Sequence, residues 1–276
     1  MNLGVNTNCQ AGKDFKEVLK NIKEVGFNDV MISFNLQEDE ETIVEAQNLN
    51  LNIPYVHLSY KYGNDLWVKG TTADEYVEEV IKQIELCAKY NINIAVFHCT
   101  FGSTNDLPIK PNKTGLENFK KILNVAEKHN INIALENTDK FNMKHFYYLF
   151  KKIKSNNLKF CYDVGHHYLY YPKINLLKKF GRKLVALHLH DNFADWQKGY
   201  DFTKDLHLLP FDGKINFDKV CKNIAKTNYD GTIMLELHKT SLANLNGYKN
   251  LNNLQFLQKA KTRAKKLEGL IKKYKN

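Results

Sequence analysis

Hydrophobic and polar positions along the chain follow two alternating patterns. Short apolar runs rich in β-branched residues are each followed by a longer segment with apolar residues at helical spacing. The runs predict eight strands, at Leu3–Asn6, Asp29–Ser33, Ile53–His57, Ile94–His98, Asn132–Glu136, Lys159–Asp163, Leu184–His188 and Thr232–Glu236. The longer segments predict helices at Asp14–Val25, Glu38–Asn48, Ala73–Tyr90, Gly115–His129, Lys144–Lys154, Asn175–Phe180, Phe217–Thr227 and Leu251–Lys273.

This alternation is the pattern of repeated βα units on a parallel sheet. Eight consecutive units favour an α/β protein with a closed (β/α)8 TIM barrel over an open sheet, because closure leaves no edge strand. The length of 276 residues suits one such barrel, which typically has about 250 residues. No linker or change in composition divides the chain, so we expect a single domain over residues 1–276. The sequence also lacks the glycine-rich phosphate loops of nucleotide-binding sheets.

Composition and charge narrow the possible partners. Hydrophobic residues make up 43% and charged residues 25% of the chain, which is ordinary for a globular protein and argues against disorder. The net charge of +10 is compatible with a nucleic acid or another anionic partner. Only Arg182 and Arg263 are arginines, however, and the lysines collect in helix-like segments. This distribution favours a solvated lysine-rich surface.

Two features bear on the compartment. The start of the sequence lacks a basic segment followed by an apolar one, and no apolar run approaches the roughly 20 residues that cross a bilayer. The five cysteines are scattered and contain no Cys-x-x-Cys pair, so neither a disulfide framework nor a thiolate zinc site is indicated. We therefore expect a cytoplasmic protein with no membrane partner.

The candidate chemistry lies at the strand ends. In an α/β barrel the active site is at the carboxyl ends of the strands. Six consecutive strands end in a potential metal ligand: His57, His98, Glu136, Asp163, His188 and Glu236. Three more candidates follow on loops at the same rim: His166, Asp205 and His207. So many converging carboxylates and imidazoles need a cation between them, and mixed nitrogen and oxygen ligands favour zinc, manganese or cobalt over calcium or magnesium.

Other side chains receive supporting roles. His167, His190 and His238 lie one or two residues beyond better candidates, so we expect them to support the ligands or the fold. His129 and His145 fall in predicted helices, where a surface position is expected. Aromatic residues near the rim either form the walls of a sugar site or pack the loops; they are Tyr60, Tyr62, Trp67, Tyr168, Tyr170 and Trp196.

With these residues in place, the chain resembles the xylose-isomerase-like barrel superfamily, which contains sugar and sugar-phosphate isomerases and epimerases together with endonuclease IV. The resemblance extends from His57 to Glu236. Each matching piece is short, but their order and their positions at strand ends are specific. The pieces are LEN at 135–137, YDVGH at 162–166, HLHDN at 188–192, DLHLLPFDG at 205–213 and LEL at 235–237.

Resemblance to the epimerase branch implies one divalent ion, zinc or manganese, held by Glu136, Asp163, His188 and Glu236. The ion would bind the carbonyl and adjacent hydroxyl oxygens of a small sugar or sugar phosphate and stabilise an enediolate. Glu136 and Glu236 would transfer protons on opposite faces of the substrate. Contacts with the substrate would then come from other residues at the rim. These candidates are His57, His98, His166, Tyr60, Trp67 and Trp196.

Resemblance to endonuclease IV implies an alternative. All nine candidate ligands match that family's three-zinc cluster, which would make the chain a phosphodiesterase acting on DNA at abasic sites. Three departures from the endonuclease pattern favour the isomerase or epimerase function. The glycine-glutamine-glycine run that follows LENT in the endonucleases is Lys140-Phe141-Asn142 in this chain. Their threonine-cysteine pair between the aspartate and the histidine is Val164-Gly165, and their glycine-rich turn after Asp-x-His is Phe211-Asp212-Gly213. The metal count stays open at one to three ions. A sugar-binding barrel without catalysis is a third possibility, against which both intact glutamates argue.

Overall fold

The strands of the protein form one parallel sheet that closes on itself. A computed structural model describes residues 1–34, 38–100, 109–139, 142–193, 205–240 and 248–275. Its strands are β1 (Leu3–Asn6), β2 (Asp29–Ser33), β3 (Val56–His57), β4 (Ile94–Phe97), β5 (Asn132–Glu136), β6 (Leu158–Asp163), β7 (Leu184–His188) and β8 (Ile233–Leu235). They are ordered β7-β6-β5-β4-β3-β2-β1-β8.

Closure occurs just beyond β7. Leu189 pairs in parallel with Leu235 of β8, and its N–H donates to the Met234 carbonyl over 3.0 Å. The Glu236 N–H then donates to the Leu189 carbonyl over 3.3 Å. The two ends of the strand order therefore meet, and the predicted (β/α)8 barrel is confirmed.

Helices surround the barrel and follow the predicted segments, with every boundary within two residues of its expected place. Burial of an apolar face and end caps fix them; α1, for example, buries Leu19 and Ile22, begins at the capping carboxylate of Asp14 and ends at Gly26 with φ of 86°. The helices are α1 (Phe15–Val25), α2 (Asp39–Asn48), α3 (Thr71–Lys89), α4 (Lys113–Lys128), α5 (Asn142–Lys152), α6 (Val164–Tyr170), α7 (Leu176–Phe180), α8 (Phe217–Ala225) and α9 (Asn253–Lys275).

Helix α6 has no counterpart among the predicted helices. It begins immediately after β6, where the Asp163 side chain accepts a hydrogen bond from the His166 N–H over 2.6 Å. Its sequence, Val164-Gly165-His166-His167, lacks a helical apolar repeat. The capping carboxylate at the strand end therefore specifies this short helix better than hydrophobic periodicity does.

A layer of apolar side chains fills the barrel interior. One residue from most strands contributes to it, and the Tyr55 hydroxyl crosses the barrel to donate to the Leu187 carbonyl over 2.6 Å. The layer consists of Met31, Tyr55, Val96, Ala134, Cys161, Ala186 and Met234. All five cysteines are buried free thiols. Within the described ranges, no helix combines the length and apolar composition needed to cross a membrane.

Candidate metal centre

The strand-end ligands point into the barrel because side chains alternate along a strand. Each of them follows a residue of the interior layer by two positions, as Glu136 follows Ala134 and His188 follows Ala186. Residues two apart in a strand share a face. The ligands therefore form the next layer above the apolar one, at the carboxyl rim of the barrel.

The central group of side chains comprises Glu136, Asp163, His188 and Glu236. His188 Nδ1 lies 3.0 Å from Glu136 Oε2, 3.3 Å from Glu236 Oε2 and 3.9 Å from Asp163 Oδ2. All four side chains are buried, with 0 to 9% of each residue exposed. The structure thus brings together the four residues expected to hold a single ion.

A second group adjoins the first on the β3 and β4 side. His57 Nε2 and His98 Nε2 lie 3.3 and 3.2 Å from Glu136 Oε2. The two imidazole nitrogens are themselves 3.2 Å apart. Glu136 therefore belongs to both groups.

A third group lies on the opposite side of the centre. His166 Nε2 and His207 Nε2 lie 2.8 and 3.4 Å from Asp205 Oδ2. The His190 ring stacks on His207 with centroids 3.9 Å apart, and its Nδ1 is 3.9 Å from Asp205 Oδ1. His166 Nδ1 also reaches Glu136 Oε1 at 3.0 Å, so this group connects directly to the central one.

The arrangement fits divalent metal ions. In each of the three groups, one potential ligand atom from every residue lies within 4.8 Å of the others. Several buried atoms that face the groups accept or donate no hydrogen bond among the described residues: Glu136 Oε2, His166 Nδ1, His188 Nδ1, His190 Nδ1 and Asp205 Oδ1. Buried polar atoms without partners are costly, and a cation bound among them would satisfy them.

The electrostatics of the site are those of interleaved carboxylates and imidazoles. Burial raises the pKa of Glu136, but the imidazoles of His188 and His98 outweigh it and hold that pKa well below its usual range. Burial lowers the pKa of His207, but the Asp205 carboxylate outweighs it and raises the pKa to about 9. The pKa of His188 is likewise raised well above its usual value. Without a metal, protons on His188 and His207 replace part of the missing positive charge, whereas burial lowers the pKa of His98.

A buried cysteine lies beneath the centre. Cys161 has its Sγ within reach of Glu136 and His188. Burial raises the pKa of the Cys161 thiol to about 12. The thiol is therefore protonated in the metal-free protein, and an ion that bound the sulfur would have to displace that proton.

His190 has a larger part in the site than the sequence indicates. It was expected to support the ligands, and its Nε2 does lie 3.1 Å from Asp163 Oδ2. His190 Nδ1, however, faces Asp205 of the third group. The ring lies against Gly165, where a Cβ atom would be only 1.9 Å from His190 Cε1. Gly165 therefore makes room for His190, a pairing that adjacent positions in the sequence do not reveal.

The other histidines divide between core and surface. His129 is exposed, as expected, but the surface prediction for His145 is wrong, because only 3% of His145 is exposed and its ring packs 4.4 Å from that of Trp67. His167 lies between the Tyr162 hydroxyl and the Ile174 carbonyl. His238 stacks on His207 with centroids 4.5 Å apart.

The aromatic residues expected at the rim lie in different environments. Tyr60 is 36% exposed, and its ring centroid is 5.2 Å from that of His57 and 4.7 Å from that of His98. Trp67 is 2% exposed and donates from Nε1 to the Cys99 carbonyl, which favours loop packing over a sugar wall. Trp196 lies outside the described residues.

Asp191 organises the segment 205–215, which includes Asp205 and His207. Its carboxylate accepts hydrogen bonds of 2.9 to 3.0 Å from the N–H groups of Asn192, Phe211, Gly213 and Ile215. Its backbone also pairs with Leu208 in an antiparallel bridge. Although the sequence presents Asp191 beside two histidines, the structure uses it to hold this segment in place.

Sequence comparison identifies the family. A sequence model of the xylose isomerase-like TIM barrel family matches residues 19–260. The chain belongs to this family. It is also 30% identical over 204 residues to the uncharacterized protein y4fM of Sinorhizobium fredii, a match that covers 71% of this chain and 61% of that protein. The chain thus spans about three fifths of the length of this relative.

Solved structures share the xylose isomerase-like fold over nearly the whole chain. D-psicose 3-epimerase from Clostridium cellulolyticum H10, crystallised with D-tagatose, matches with a TM-score of 0.76 and 14% identity over 98% of this chain and 99% of that one. The IolI protein, crystallised with a zinc atom, matches with a TM-score of 0.76 and 17% identity over 99% of both chains. At these identities the likeness establishes the fold.

Proposed function

We propose that the protein is a divalent-metal-dependent sugar isomerase or epimerase. The observation that carries the proposal is the central group, in which carboxylates from β5 and from the end of β8 approach the same His188 nitrogen at 3.0 and 3.3 Å. Two carboxylates beside one ion position would suit the removal of a proton from one face of a substrate and its return to the other.

The residues present suit zinc or manganese. Glu136, Asp163, His188 and Glu236 would hold the ion, and their mixed oxygen and nitrogen ligands match the preferences of these metals. When bound, the ion supplies a Lewis acid that polarises a substrate carbonyl. The zinc atom in IolI supports this choice of metal, and the D-psicose 3-epimerase supports a ketose as the substrate.

The glutamates of the chain perform the proton transfers. One carboxylate accepts the proton from the carbon next to the carbonyl, which leaves an enediolate, and the other delivers a proton to the opposite face. The pKa of Glu136 is held well below its usual range by the neighbouring imidazoles after burial has raised it, so the base is ionised. Because both glutamates are buried, bulk water is kept from the reacting carbon.

The remaining rim residues orient the sugar. In this proposal His57, His98, His166 and Tyr60 contact the substrate hydroxyls. The three histidines lie within 3.3 Å of Glu136, and Tyr60 packs against His98. Trp196 is a further candidate from the sequence, whereas the burial of Trp67 assigns it to loop packing. The free thiol state of all five cysteines supports a reducing compartment such as the cytoplasm.

The test combines metal analysis with isotope exchange. Purified protein is expected to contain or require a divalent metal and to exchange solvent deuterium into the carbon next to the carbonyl of a ketose. Glu136→Gln and Glu236→Gln should each abolish exchange, whereas Glu117→Gln on the exposed face of α4 should not. A protein without bound or activating metal, or exchange that survives in both glutamate variants, would refute the proposal.

A second function is favoured by one observation. The outer groups, His57 with His98 and His166 with Asp205 and His207, converge beside the central group as a cluster of three ions would require. Cleavage of a DNA duplex at an abasic site is the assay that tests this second function, a metal-dependent nuclease. Asp205→Asn and His207→Ala should abolish a three-metal nuclease but spare the chemistry of a one-metal epimerase. Nicking that is lost in Glu136→Gln, without any sugar exchange, would establish the nuclease.

A further inference from the structure

A pocket of about 700 Å³ lies beside the metal centre. It is formed by residues that follow β1, β2 and β3 and by the first turns of α1 and α2. β1 and β2 are the strands that contribute no candidate ligand to the centre. The pocket therefore extends the site on the side of the rim that the metal ligands leave open.

Tyr60 connects the pocket to the metal centre. Its side chain lines the pocket, while its ring packs against His57 and His98, with centroids 5.2 and 4.7 Å away. Ser59 lines the pocket two residues beyond the His57 ligand. Tyr60 therefore borders both the pocket and the imidazoles of the metal centre.

The lining suits a hydroxyl-rich ligand. The lining combines hydroxyl and amide side chains with the aromatic rings of Phe15, Phe34 and Tyr60. The Asn8 amide oxygen already accepts from Asn6 Nδ2 over 2.5 Å and from the Ser33 hydroxyl over 3.4 Å, so its nitrogen is the group suited to donate to a ligand. The polar lining side chains are Thr7, Asn8, Gln10, Ser33, Thr42 and Ser59.

The charges in the pocket disfavour a phosphate. Lys13 and Lys61 are its cations, whereas Asp14, Glu38 and Asp39 contribute three carboxylates. Asp14 is fixed in place because its carboxylate caps α1 by accepting from the Glu17 N–H over 2.8 Å. Carboxylates outnumber lysines, so an uncharged ligand is favoured over an anionic one.

We infer that the substrate carries a second, uncharged, hydroxyl-rich unit, such as a glycosyl group, which occupies this pocket while its ketose end lies at the metal centre. The inference rests on the proposed isomerase or epimerase function and narrows its substrate class. A volume of about 700 Å³ is within the roughly 300–1,000 Å³ of complete ligand pockets. The pocket is therefore large enough for a full sugar ring in addition to the one at the centre.

The test compares ketoses with and without the additional unit. Fructose is matched with lactulose, leucrose and isomaltulose, in which a second sugar is attached to O4, O5 or O6 of fructose. At least one disaccharide should undergo solvent-deuterium exchange with a kcat/KM about tenfold or more above that of fructose. Equal or lower kcat/KM for all three disaccharides would overturn the inference.

A bulky side chain in the pocket provides the matched variant. Ser33→Trp should reduce the ratio of disaccharide to fructose kcat/KM to about one, because the indole fills the space of the second ring. The ratio is insensitive to a general loss of active protein. Ser155→Trp, at a similarly half-buried serine between α5 and β6, should leave the ratio unchanged. A preference that persists in Ser33→Trp would also overturn the inference.

Binding separates failure of the pocket from failure of the proposed chemistry. If no sugar undergoes exchange, the same four sugars are titrated calorimetrically into the metal-loaded protein. A disaccharide that binds about tenfold more tightly than fructose, with the difference lost in Ser33→Trp, would retain the pocket and reject the isomerase. Absence of that difference would reject the pocket.

Discussion

At the scale of single residues, one glycine decides whether His190 reaches the metal centre. Gly165 lies in α6, and a Cβ there would come within 1.9 Å of the His190 ring. Gly165→Ala should push the ring away from Asp163 and Asp205 and lower metal affinity by about 10- to 100-fold, the usual cost of disturbing a residue that supports ligands. Metal content after dialysis against a buffered metal series measures this.

A second helical glycine provides the control. At Gly269 in α9 an added Cβ meets nothing within 4 Å. Gly269→Ala should leave metal affinity unchanged and stabilise the fold by about 0.5–1 kcal/mol, since alanine is the better helix former. Equal metal affinity in Gly165→Ala and the wild type would show that His190 is not needed at the centre.

Proton release on metal binding is also a property of individual side chains. After burial has lowered it, the pKa of His207 is raised to about 9 by Asp205, and that of His166 is raised well above its usual value by Asp163 and Asp205. At pH 7.5 both histidines are protonated in the metal-free protein. A metal ion that binds in the third group must therefore displace about one to two protons. Calorimetry of zinc binding in buffers of different ionisation enthalpy should detect them.

The sign of the pH dependence follows. Metal affinity should increase as pH rises toward 9, because fewer protons compete for the imidazoles. The stability of the metal-free protein should change in the opposite direction. The stabilisation from His207 is fully present below the unfolded pKa near 6.5 and is lost as pH rises through the folded pKa of about 9. Metal affinity that is independent of pH between 6 and 9 would contradict this account of the site.

At the scale of elements, alternation of apolar and polar residues was sufficient to predict the strands and the long helices. The strand ends were also predictable, since a barrel places its ligands there. Helix α6 was not, because a capping aspartate rather than an apolar repeat begins it. The burial of His145 against Trp67 depends on contact between α5 and a segment 75 or more residues earlier, which no local pattern encodes.

The segment 205–215 is held by a single carboxylate, that of Asp191. Asp191→Asn would keep one acceptor oxygen but place an amide NH2 against two N–H donors among those of Asn192, Phe211, Gly213 and Ile215. Each buried donor left without an acceptor costs about 1–3 kcal/mol. The variant should therefore lower the free energy of unfolding in urea and, by loosening Asp205 and His207, reduce metal binding in the third group.

Asp212, in the same segment, is the matched comparison. It accepts from Arg263 and from the Tyr248 hydroxyl over 2.8 Å, but it and Arg263 are 25% and 33% exposed. Because a partly exposed ion pair contributes about 0–1 kcal/mol, Asp212→Asn should cost less than Asp191→Asn and leave the metal content unaltered. Equal destabilisation by both variants would mean that Asp191 does not organise the segment.

At the scale of the whole molecule, the two ends of the barrel satisfy buried charge in different ways. At the amino end, Asp29 accepts from Asn2 over 3.0 Å, from Asn52 over 2.9 Å and from the Thr232 hydroxyl. At the carboxyl end, carboxylates and imidazoles face one another with buried atoms that lack hydrogen bonds among the described residues. The buried carboxylate at the first end has hydrogen-bond partners within the protein, whereas the groups at the second end have the arrangement that would accept a cation.

Removal of the metal should therefore destabilise the protein only at the carboxyl end of the barrel. Saturation with zinc or manganese at about 100 times Kd should add about 2.7 kcal/mol to the free energy of unfolding, which corresponds to about 5–10 °C in Tm for a chain of this size. A chelator should reverse the shift in thermal unfolding. Glu136→Gln should abolish the metal-dependent increment, because Glu136 belongs to both of the adjoining groups.

Asp29→Ala, at the amino end of the barrel, is the control. It should lower Tm by the same amount with and without metal, and a metal-dependent effect there would contradict the separation of the two ends.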